Sequence, residues 1–179
     1  EKNLVYYGTA QAKPWARAVR GTDGDALYTN STLALNPNTG ELNWYYQHVP
    51  GETHDMDEVF ETVLIDVDGR ESIFKMGKLA ILWQLDRETG ELIKATDMGY
   101  QTILNVNQTS GNITYRDGMI PRIGQQSDMC PSTSGFKSWR AMAYSPQTSA
   151  LYIPITLNCE LATFGPLSLI HISEPTRRT

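Results

Sequence analysis

Short segments in which apolar and polar residues alternate, separated by polar turns, run along most of the chain. Alternation with a period of two residues is typical of strands that bury one face. Helical periodicity is weak throughout, and we expect no helix longer than two turns. The pattern therefore predicts an all-β protein, with strands at residues 3–9, 26–35, 42–47, 63–67, 71–75, 78–85, 92 onward, 141–144 and 151–154.

The polar turns repeat a common pattern. Each of three turns follows an apolar strand, carries Thr in its fourth position and leads into another strand, at residues 36–40, 86–90 and 145–149. The copies recur every 50 to 60 residues or so, which is the range of propeller blades. A blade is a four-stranded antiparallel sheet that cannot bury both of its faces alone. We therefore predict a partial β-propeller of about three blades, with residues 105–128 as an excursion or hairpin.

Length and charge limit the possible functions. The chain has 179 residues, enough for one domain with its own core, and a net charge of −5. This acidity argues against nucleic acid as a partner, since nucleic-acid binding calls for a basic face. No apolar run approaches the roughly 18 residues that span a membrane. The sequence starts with Glu and shows no basic-then-apolar leader, and we expect it to be an internal piece of a longer protein.

The loop at residues 50–58 gathers one histidine, His54, with four carboxylates: Glu52, Asp55, Asp57 and Glu58. Like charges repel, so a bound cation or a reacting proton would explain the crowding. The alternative is a solvated acidic loop. The chain also has two cysteines, which could form one disulfide or be two buried thiols, and no further cysteine supports a common zinc site.

Five segments together resemble the quinoprotein alcohol dehydrogenases of the methanol and ethanol type. They are YYGTAQAKPW (6–15), ALNPNTGELNW (34–44), WYYQHVPGETHDMD (44–57), KLAILWQLDRETG (78–90) and CPSTSGFKSW (130–139). The resemblance covers roughly residues 3–164. It implies part of an eight-bladed propeller from a periplasmic enzyme that oxidises a primary alcohol or aldehyde. The implied cofactors are pyrroloquinoline quinone and a calcium or lanthanide ion, and the implied electron acceptor is a cytochrome c.

A non-catalytic propeller is the alternative, because similar repeats build binding modules and outer-membrane assembly scaffolds. Such a scaffold would keep the Thr-Gly turns and the tryptophans but would not need Asp55, Asp57 and Lys78 together. Those three residues occur here at the family's spacing, which favours the enzyme.

The resemblance assigns roles to residues of the acidic loop. Asp55 falls on the catalytic base, which takes the proton of the alcohol hydroxyl, and it is also a metal ligand. Asp57 falls where the lanthanide-using members have an extra metal-ligating aspartate. Residues two apart on an extended segment share a side, so both carboxylates can face one ion. Glu52 and Glu58 are expected to face solvent.

The remaining implied contacts come from other segments. Gln11 sits where the family has a metal-binding asparagine, and its longer side chain is a departure from the pattern. Lys78 falls on the basic residue that contacts the quinone oxygens. Ser138 and Trp139 are the other expected cofactor contacts, although some members have Asn at position 138.

Other positions have less specific roles. His54 replaces the usual tryptophan beside the base, as a donor to the loop, a proton carrier or a simple replacement. The tryptophans at positions 44, 83 and 139 are expected in the core and in docking between blades rather than against substrate. The resemblance places an intrachain disulfide at Cys130 and Cys159.

The final residues, 165–179, lack the blade pattern, and their string SLIHISEPTR resembles the translation of a sequencing adaptor. The predicted domain organisation is therefore a propeller portion at residues 1–164 followed by a non-native tail. His171 in that tail is not proposed as a ligand.

Overall fold

Antiparallel β-structure dominates the computed structural model, which describes residues 3–166. The strands are β1 (Val5–Gly8), β2 (Ser31–Leu35), β3 (Leu42–Gln47), β4 (Thr62–Val67), β5 (Arg70–Met76), β6 (Ile81–Asp86), β7 (Leu92–Asp97), β8 (Leu104–Val106), β9 (Ile113–Tyr115), β10 (Gln126–Met129), β11 (Ala143–Ser145), β12 (Ala150–Tyr152) and β13 (Glu160–Thr163). A single helical turn, α1 (Arg17–Arg20), is the helix of this part of the chain. The all-β prediction is confirmed. The predicted tail at 165–179 lies almost wholly outside the described residues.

The sheets follow the order of the sequence. β1, β2 and β3 form a three-stranded sheet, and β4 to β7 form a four-stranded sheet in which neighbours along the chain pair antiparallel. Three two-stranded sheets follow, β8–β9, β10–β13 and β11–β12. The predicted hairpin within residues 105–128 corresponds to β8–β9. Strands β10 and β13 were not predicted.

Two predicted strands begin later than expected, for one shared reason. The strand predicted from Ala26 begins at Ser31, and the strand predicted from Lys78 begins at Ile81. Ala26, Asn30 and Ala80 have φ angles of 51°, 47° and 60°. A left-handed backbone cannot continue a β-ladder, so the chain turns at these residues before each strand starts.

Two of the three predicted turns, and a further turn at 107–111, are closed by identical hydrogen bonds. The predicted copy at 145–149 joins β11 to β12, with the Thr148 N–H donating to Ser145 Oγ. In residues 36–40, 86–90 and 107–111, the N–H of the fifth residue, a glycine, donates to the carbonyl oxygen of the first at 2.8–2.9 Å. Each of these glycines has φ between 72° and 76°, where glycine avoids the steric cost. The turn at 107–111 was missed in the sequence because it follows the second copy after only 21 residues rather than about 50.

Trp44 docks the first sheet against the second. It pairs with Ala34 across β2 and β3 and shares a buried cluster with Ile73 and Leu85 of the second sheet. Its ring also lies on the backbone of Gly90, where an added Cβ would meet a ring carbon at 2.4 Å. The predicted docking role is thus confirmed for Trp44.

The other two tryptophans differ in their surroundings. Trp83 is fully buried in the largest cluster, beside His48 at a ring distance of 5.0 Å. Trp139 is 86% exposed and packs edge-on against Phe60 at 5.5 Å. The expectation that Trp139 lies in the core is wrong, because no side chain within residues 3–166 covers its outer face.

A disulfide joins Cys130 to Cys159, as the resemblance implied, with a Cα–Cα distance of 4.3 Å. The two cysteines flank the last paired residues of β10 and β13, Met129 and Glu160. The bond therefore fixes the end of that two-stranded sheet. No helix of the described residues has the length and apolar character to cross a membrane.

The topology collects three loops at one end of the first two sheets. β1, β3 and β5 end there, and β2, β4 and β6 begin there, as the pairs Gly8–Thr32, Ser31–Gln47 and Met76–Leu82 show. The loops that leave this end include residues 9–30, 48–61 and 77–80. They carry Gln11, the acidic residues and Lys78, so the fold brings the implied site residues to the same place.

Candidate active site

Lys78 lies at the centre of a polar cluster that includes both predicted aspartates. Its Nζ is 2.8 Å from Asp57 Oδ2 and 3.3 Å from Asp55 Oδ2. The same ammonium donates a hydrogen bond to the backbone carbonyl oxygen of Asp55 at 2.7 Å. The sequence-predicted Asp55, Asp57 and Lys78 are therefore in direct contact.

Gln11 completes this cluster from the loop after β1. Its backbone N–H donates to Asp57 Oδ1 at 3.1 Å, and its side-chain Nε2 donates to Asp55 Oδ1. The side chains of Asp55 and Asp57 are 25% and 13% exposed, and that of Lys78 is 10% exposed. Two carboxylates and one ammonium leave one net negative charge in a place that solvent and ligands can reach.

A turned backbone, rather than an extended one, aims both aspartates at Lys78. Asp55 has a φ of 61°, in the left-handed region that non-glycine residues seldom adopt. This turn points the Asp55 carbonyl as well as its carboxylate toward the ammonium. The expectation that the two carboxylates face one side is confirmed, but the reason given for it, an extended segment, is wrong.

Two glycines let the backbones approach around Lys78. A Cβ on Gly77 would meet the Asp57 carbonyl oxygen at 2.4 Å, and one on Gly135 would meet Lys78 Cγ at 2.3 Å. Backbone hydrogen bonds fix the same contacts, from Lys78 N–H to the Asp57 oxygen and from Phe136 N–H to the Lys78 oxygen. The segment before Ser138 thus supports Lys78 from one side.

The structure does not bring Ser138 and Trp139 into this cluster. Ser138 is half-buried, and Trp139 lies against Phe60 with most of its surface exposed. Their predicted contact with a cofactor stays a prediction.

Glu52 is buried, not solvated as expected, with 2% of its surface exposed. Its carboxylate accepts a hydrogen bond from the His54 N–H. Burial raises the pKa of Glu52 to about 7, and the negative charges of Asp55 and Asp57 act in the same direction. Glu52 therefore lies inside the loop as a group that titrates near neutral pH.

Glu58 is also fully buried, in a group of charges beneath the loop. Burial raises its pKa to about 8, although the ammonium groups of Lys75 and Lys137 partly oppose this shift. Burial likewise lowers the pKa of Lys75 to about 8, against the charge of Glu58. Lys137 forms an ion pair with Glu61, with 2.6 Å between Nζ and Oε2.

Sequence reasoning missed these buried charges. Lys75 and Lys137 occur in segments that read as an ordinary strand and loop, and only long-range packing places them under the acidic residues. A signal was present for Lys75, which comes two residues after Ile73 in β5 and therefore lies on the same face of the sheet as that apolar residue.

His54 lies in the core rather than in the polar cluster. It is fully buried, with its ring 5.7 Å from the ring of Tyr115 and 6.3 Å from that of Phe164. Burial lowers its pKa to about 4, so the ring is neutral at pH 7. Of the three roles considered for His54, this geometry favours the replacement of one buried ring by another.

Basic residues of α1 hold the start of the loop. Arg17 donates to the carbonyl oxygens of Gly51 and Pro50, at 2.5 and 3.1 Å, and its N–H bonds Thr53 Oγ1. Arg20 donates to the carbonyl oxygen of Glu52 at 3.2 Å. These bonds satisfy peptide groups of a segment that has no regular secondary structure.

The donor chemistry of the cluster fits a hard cation. Asp55, Asp57 and Gln11 offer carboxylate and amide oxygens, which calcium and related ions prefer. Calcium takes about 6–8 oxygen ligands, so this chain would supply only part of the set. Within residues 3–166, no three His, Cys, Asp or Glu side chains group closely enough to hold a metal.

Consecutive antiparallel sheets, docked by a tryptophan on a glycine turn and carrying a polar cluster at one end, define part of a β-propeller. The family described as "Glucose/ethanol/alcohol dehydrogenase, beta-propeller domain", of the pyrroloquinoline-quinone class, matches residues 1–100. The chain belongs to this family of quinone-dependent dehydrogenase propellers.

Individual relatives agree with this assignment. A quinohemoprotein alcohol dehydrogenase of Pseudomonas putida is 34% identical over 86% of this chain and 23% of its own length. A 1-butanol dehydrogenase (cytochrome c) of Thauera butanivorans is 33% identical over 81% of this chain and 22% of its own. The structure of a europium-containing methanol dehydrogenase superposes with a TM-score of 0.79, at 28% identity over 86% of this chain and 27% of that one. The chain thus spans about a quarter of these proteins.

Proposed function

We propose that the chain is part of an enzyme that oxidises a primary alcohol or an aldehyde with pyrroloquinoline quinone. The observation that carries the proposal is the contact of Lys78 with both Asp55 and Asp57, with Gln11 bonded to each carboxylate. A base, a cation and oxygen donors for a metal meet within one cluster. The family and its alcohol-oxidising relatives support the reaction class.

Asp55 is the base in this proposal. One of its carboxylate oxygens takes the hydroxyl proton of the alcohol as hydride leaves the adjacent carbon. Gln11 and Lys78 each bond one oxygen of Asp55 and so orient the carboxylate. The quinone, when bound with its metal ion, supplies the hydride acceptor and the Lewis acid.

The other cluster residues bind and orient. Lys78 provides a fixed positive charge that would stabilise negative charge developing on a bound quinone oxygen. Asp55, Asp57 and Gln11 would hold the metal ion, and Ser138 and Trp139 would line the quinone from the neighbouring segment. Because Asp57 adds a second carboxylate, we propose a trivalent lanthanide in preference to calcium.

The cellular setting follows from the same family. A disulfide at Cys130 and Cys159 fits an oxidising compartment, which supports a periplasmic location. One relative carries a cytochrome c in its name, and we propose a cytochrome c as the electron acceptor here too.

The full-length protein that carries this chain tests the proposal. Reconstituted with pyrroloquinoline quinone and either calcium or lanthanum, it should oxidise short primary alcohols in a dye-linked assay. Absence of turnover with both metals, in a folded protein, would reject the enzyme and favour the scaffold. The positions of Ser138 and Trp139 outside the cluster are what keep that alternative open.

Asp57→Ala tests the choice of metal. We expect the substitution to abolish lanthanum-dependent oxidation because it removes one carboxylate from the site, while the calcium-loaded variant serves as the internal control. Unchanged activity with lanthanum would show that Asp57 is not a ligand.

A further inference from the structure

The side chain of Asn30 makes hydrogen bonds to the main chain on both sides of Asp57, and this pair of bonds is called the Asn30 bracket. The residue is fully buried and directly precedes β2. Its side-chain Nδ2 donates to the carbonyl oxygen of Met56 at 3.1 Å, and its Oδ1 accepts the N–H of Glu58 at 3.0 Å. These two peptide groups come directly before and directly after Asp57 in the chain. One amide side chain therefore fixes the main chain on both sides of the candidate metal ligand.

The main chain of Asn30 is itself tied to two other loops. Its N–H donates to the carbonyl oxygen of Ala10 at 3.0 Å, and its carbonyl oxygen accepts the N–H of His48 at 2.8 Å. Ala10 precedes Gln11, so the same residue connects the Gln11 segment with the acidic loop. Asn30 has a φ of 47°, a conformation that Asn adopts more readily than most side chains. Its backbone and side chain are thus both fixed.

Removal of this amide would leave two buried peptide groups without partners. Met56 and Glu58 are both fully buried, so water does not replace the lost hydrogen bonds unless the loop moves. Asp57 lies between these two peptide groups, so a shift of either would displace its carboxylate from its present bonds to Gln11 and Lys78. The bracket therefore controls where the Asp57 carboxylate points.

We propose that Asn30 is a positioning residue that holds Asp57 in place to ligate the metal ion. The proposal rests on the proposed function, since it takes Asp57 as a ligand. Side chains that orient a metal ligand without touching the metal change metal affinity by about 10- to 100-fold when mutated. We expect a change of this size when the bracket is removed.

The experiment measures lanthanum binding by calorimetry in the quinone-free, full-length protein. Asn30→Gly removes both side-chain hydrogen bonds and suits the left-handed backbone. We expect it to weaken lanthanum binding about 10- to 100-fold. In an Asp57→Ala background, Asn30→Gly should cause no further loss, because the residue through which Asn30 acts is absent.

Gln101→Ala is the matched control. Gln101 is a buried amide that also brackets main chain, donating to the Leu104 oxygen and accepting the Ile103 and Leu104 N–H groups. It lies outside the candidate site, so its loss should lower the melting temperature and leave lanthanum affinity unchanged. Should Asn30→Gly not fold, Asn30→Ser can serve one of the two peptide groups and should give a smaller loss of affinity in the same direction.

The possible results test the role of Asn30 and the proposed metal site separately. Equal lanthanum affinity of wild type and Asn30→Gly would overturn the role of Asn30 alone. An equal loss in the wild-type and Asp57→Ala backgrounds would also overturn it, since Asn30 would then act through the fold in general. Absence of lanthanum binding in the wild type would overturn the proposed metal site, and the role of Asn30 with it.

Discussion

The two ends of the first two sheets are built by different means. At one end, the turns 36–40 and 86–90 close with bonds between residues at most five apart, and the two copies match. At the other end, the loop at 48–61 is held by Arg17, Asn30, Lys75 and Lys78, which come from distant parts of the chain. The turns have the same structure in both sheets, whereas the loop at 48–61 has no second copy among the described residues.

The turn end therefore builds the repeated sheets, and the loop end carries the residues of the candidate site. Local turns can be repeated because each carries its own hydrogen bonds and needs only a neighbour to dock against. The loop end contains the ionisable side chains of Glu52, Glu58 and Lys75, whose burial disfavours their charged forms. Glu52 and Glu58 lie close enough to Asp57 to interact with its charge, and Lys75 interacts with Glu58 in turn.

The largest expected effect is on catalysis at the loop end. Asp55→Asn keeps the size of the side chain but removes the base, and we expect turnover of the reconstituted full-length enzyme to fall about 10²- to 10⁴-fold. A dye-linked assay with saturating alcohol measures it. Asp66→Asn, on the exposed surface of β4, is the control and should retain full activity. Asp55→Asn turnover within tenfold of wild type would contradict the assigned base.

The next effect concerns the ion pair beneath the loop. Lys137 is fully buried and its Nζ is 2.6 Å from Glu61 Oε2, so Lys137→Met leaves a carboxylate without its partner. We expect a loss of about 1–3 kcal/mol in the free energy of unfolding, since Glu61 is partly exposed and water can solvate its carboxylate. Denaturant unfolding of the full-length protein measures it, with Lys94→Met on the exposed face of β7 as control. Equal stability of the two variants would count against a structural role for the pair.

The loop end should also respond to pH through Glu52. Its pKa is 4.5 in the unfolded chain and about 7 in the folded protein, so between these values only the folded state keeps the proton. The contribution of Glu52 to stability therefore falls as pH rises from 4.5 to 7, by roughly 3 kcal/mol, and changes no further above 7. Glu52→Gln should remove this contribution and leave the fall due to Glu58, whose pKa is also raised, whereas Glu91→Gln, at an exposed position, should retain both. Melting temperatures of the wild type and of both variants, measured between pH 4.5 and 7, test this prediction.

The smallest effect isolates docking at the turn end. Gly40 and Gly90 have φ angles of 76° and 75°, but an added Cβ meets nothing within 4 Å at Gly40 and meets the Trp44 ring at 2.4 Å at Gly90. Gly40→Ala should cost about 1 kcal/mol from its backbone alone, and Gly90→Ala about 1–3 kcal/mol more from overpacking. Equal unfolding free energies for the two variants would show that Trp44 does not dock on Gly90.

The turn end was largely predictable from the sequence. Strands and Thr-Gly turns depend on neighbours along the chain, and most predicted strands lie within a few residues of the observed ones. The turn at 107–111 was predictable too, because Asn107 and Gly111 repeat the pattern, but the expected spacing hid it. The left-handed backbone at Ala80 gave no such signal, since glycine or asparagine is the usual residue in that conformation.

The loop end was predictable only through the family resemblance. The resemblance anticipated that Asp55, Asp57, Gln11 and Lys78 come together, as they do. The burial of Glu52 was not predicted, nor was the bracket at Asn30, because both depend on contacts between residues far apart in sequence. A charged residue in a polar loop is read as solvated unless the partner that covers it is known.

The contact of Trp44 with Gly90 also shows how the first sheet is joined to the second. The indole ring packs against the main chain at Gly90 in the 86–90 turn. This contact therefore depends on the path of the backbone and not on the side chains of the turn. Arg87 instead directs its guanidinium to Asp66 and Glu71 on its own sheet. At the matching turn 107–111, the glycine faces the Tyr46 hydroxyl and Leu92 and not a tryptophan, so the same five-residue turn accepts different side chains from the preceding sheets.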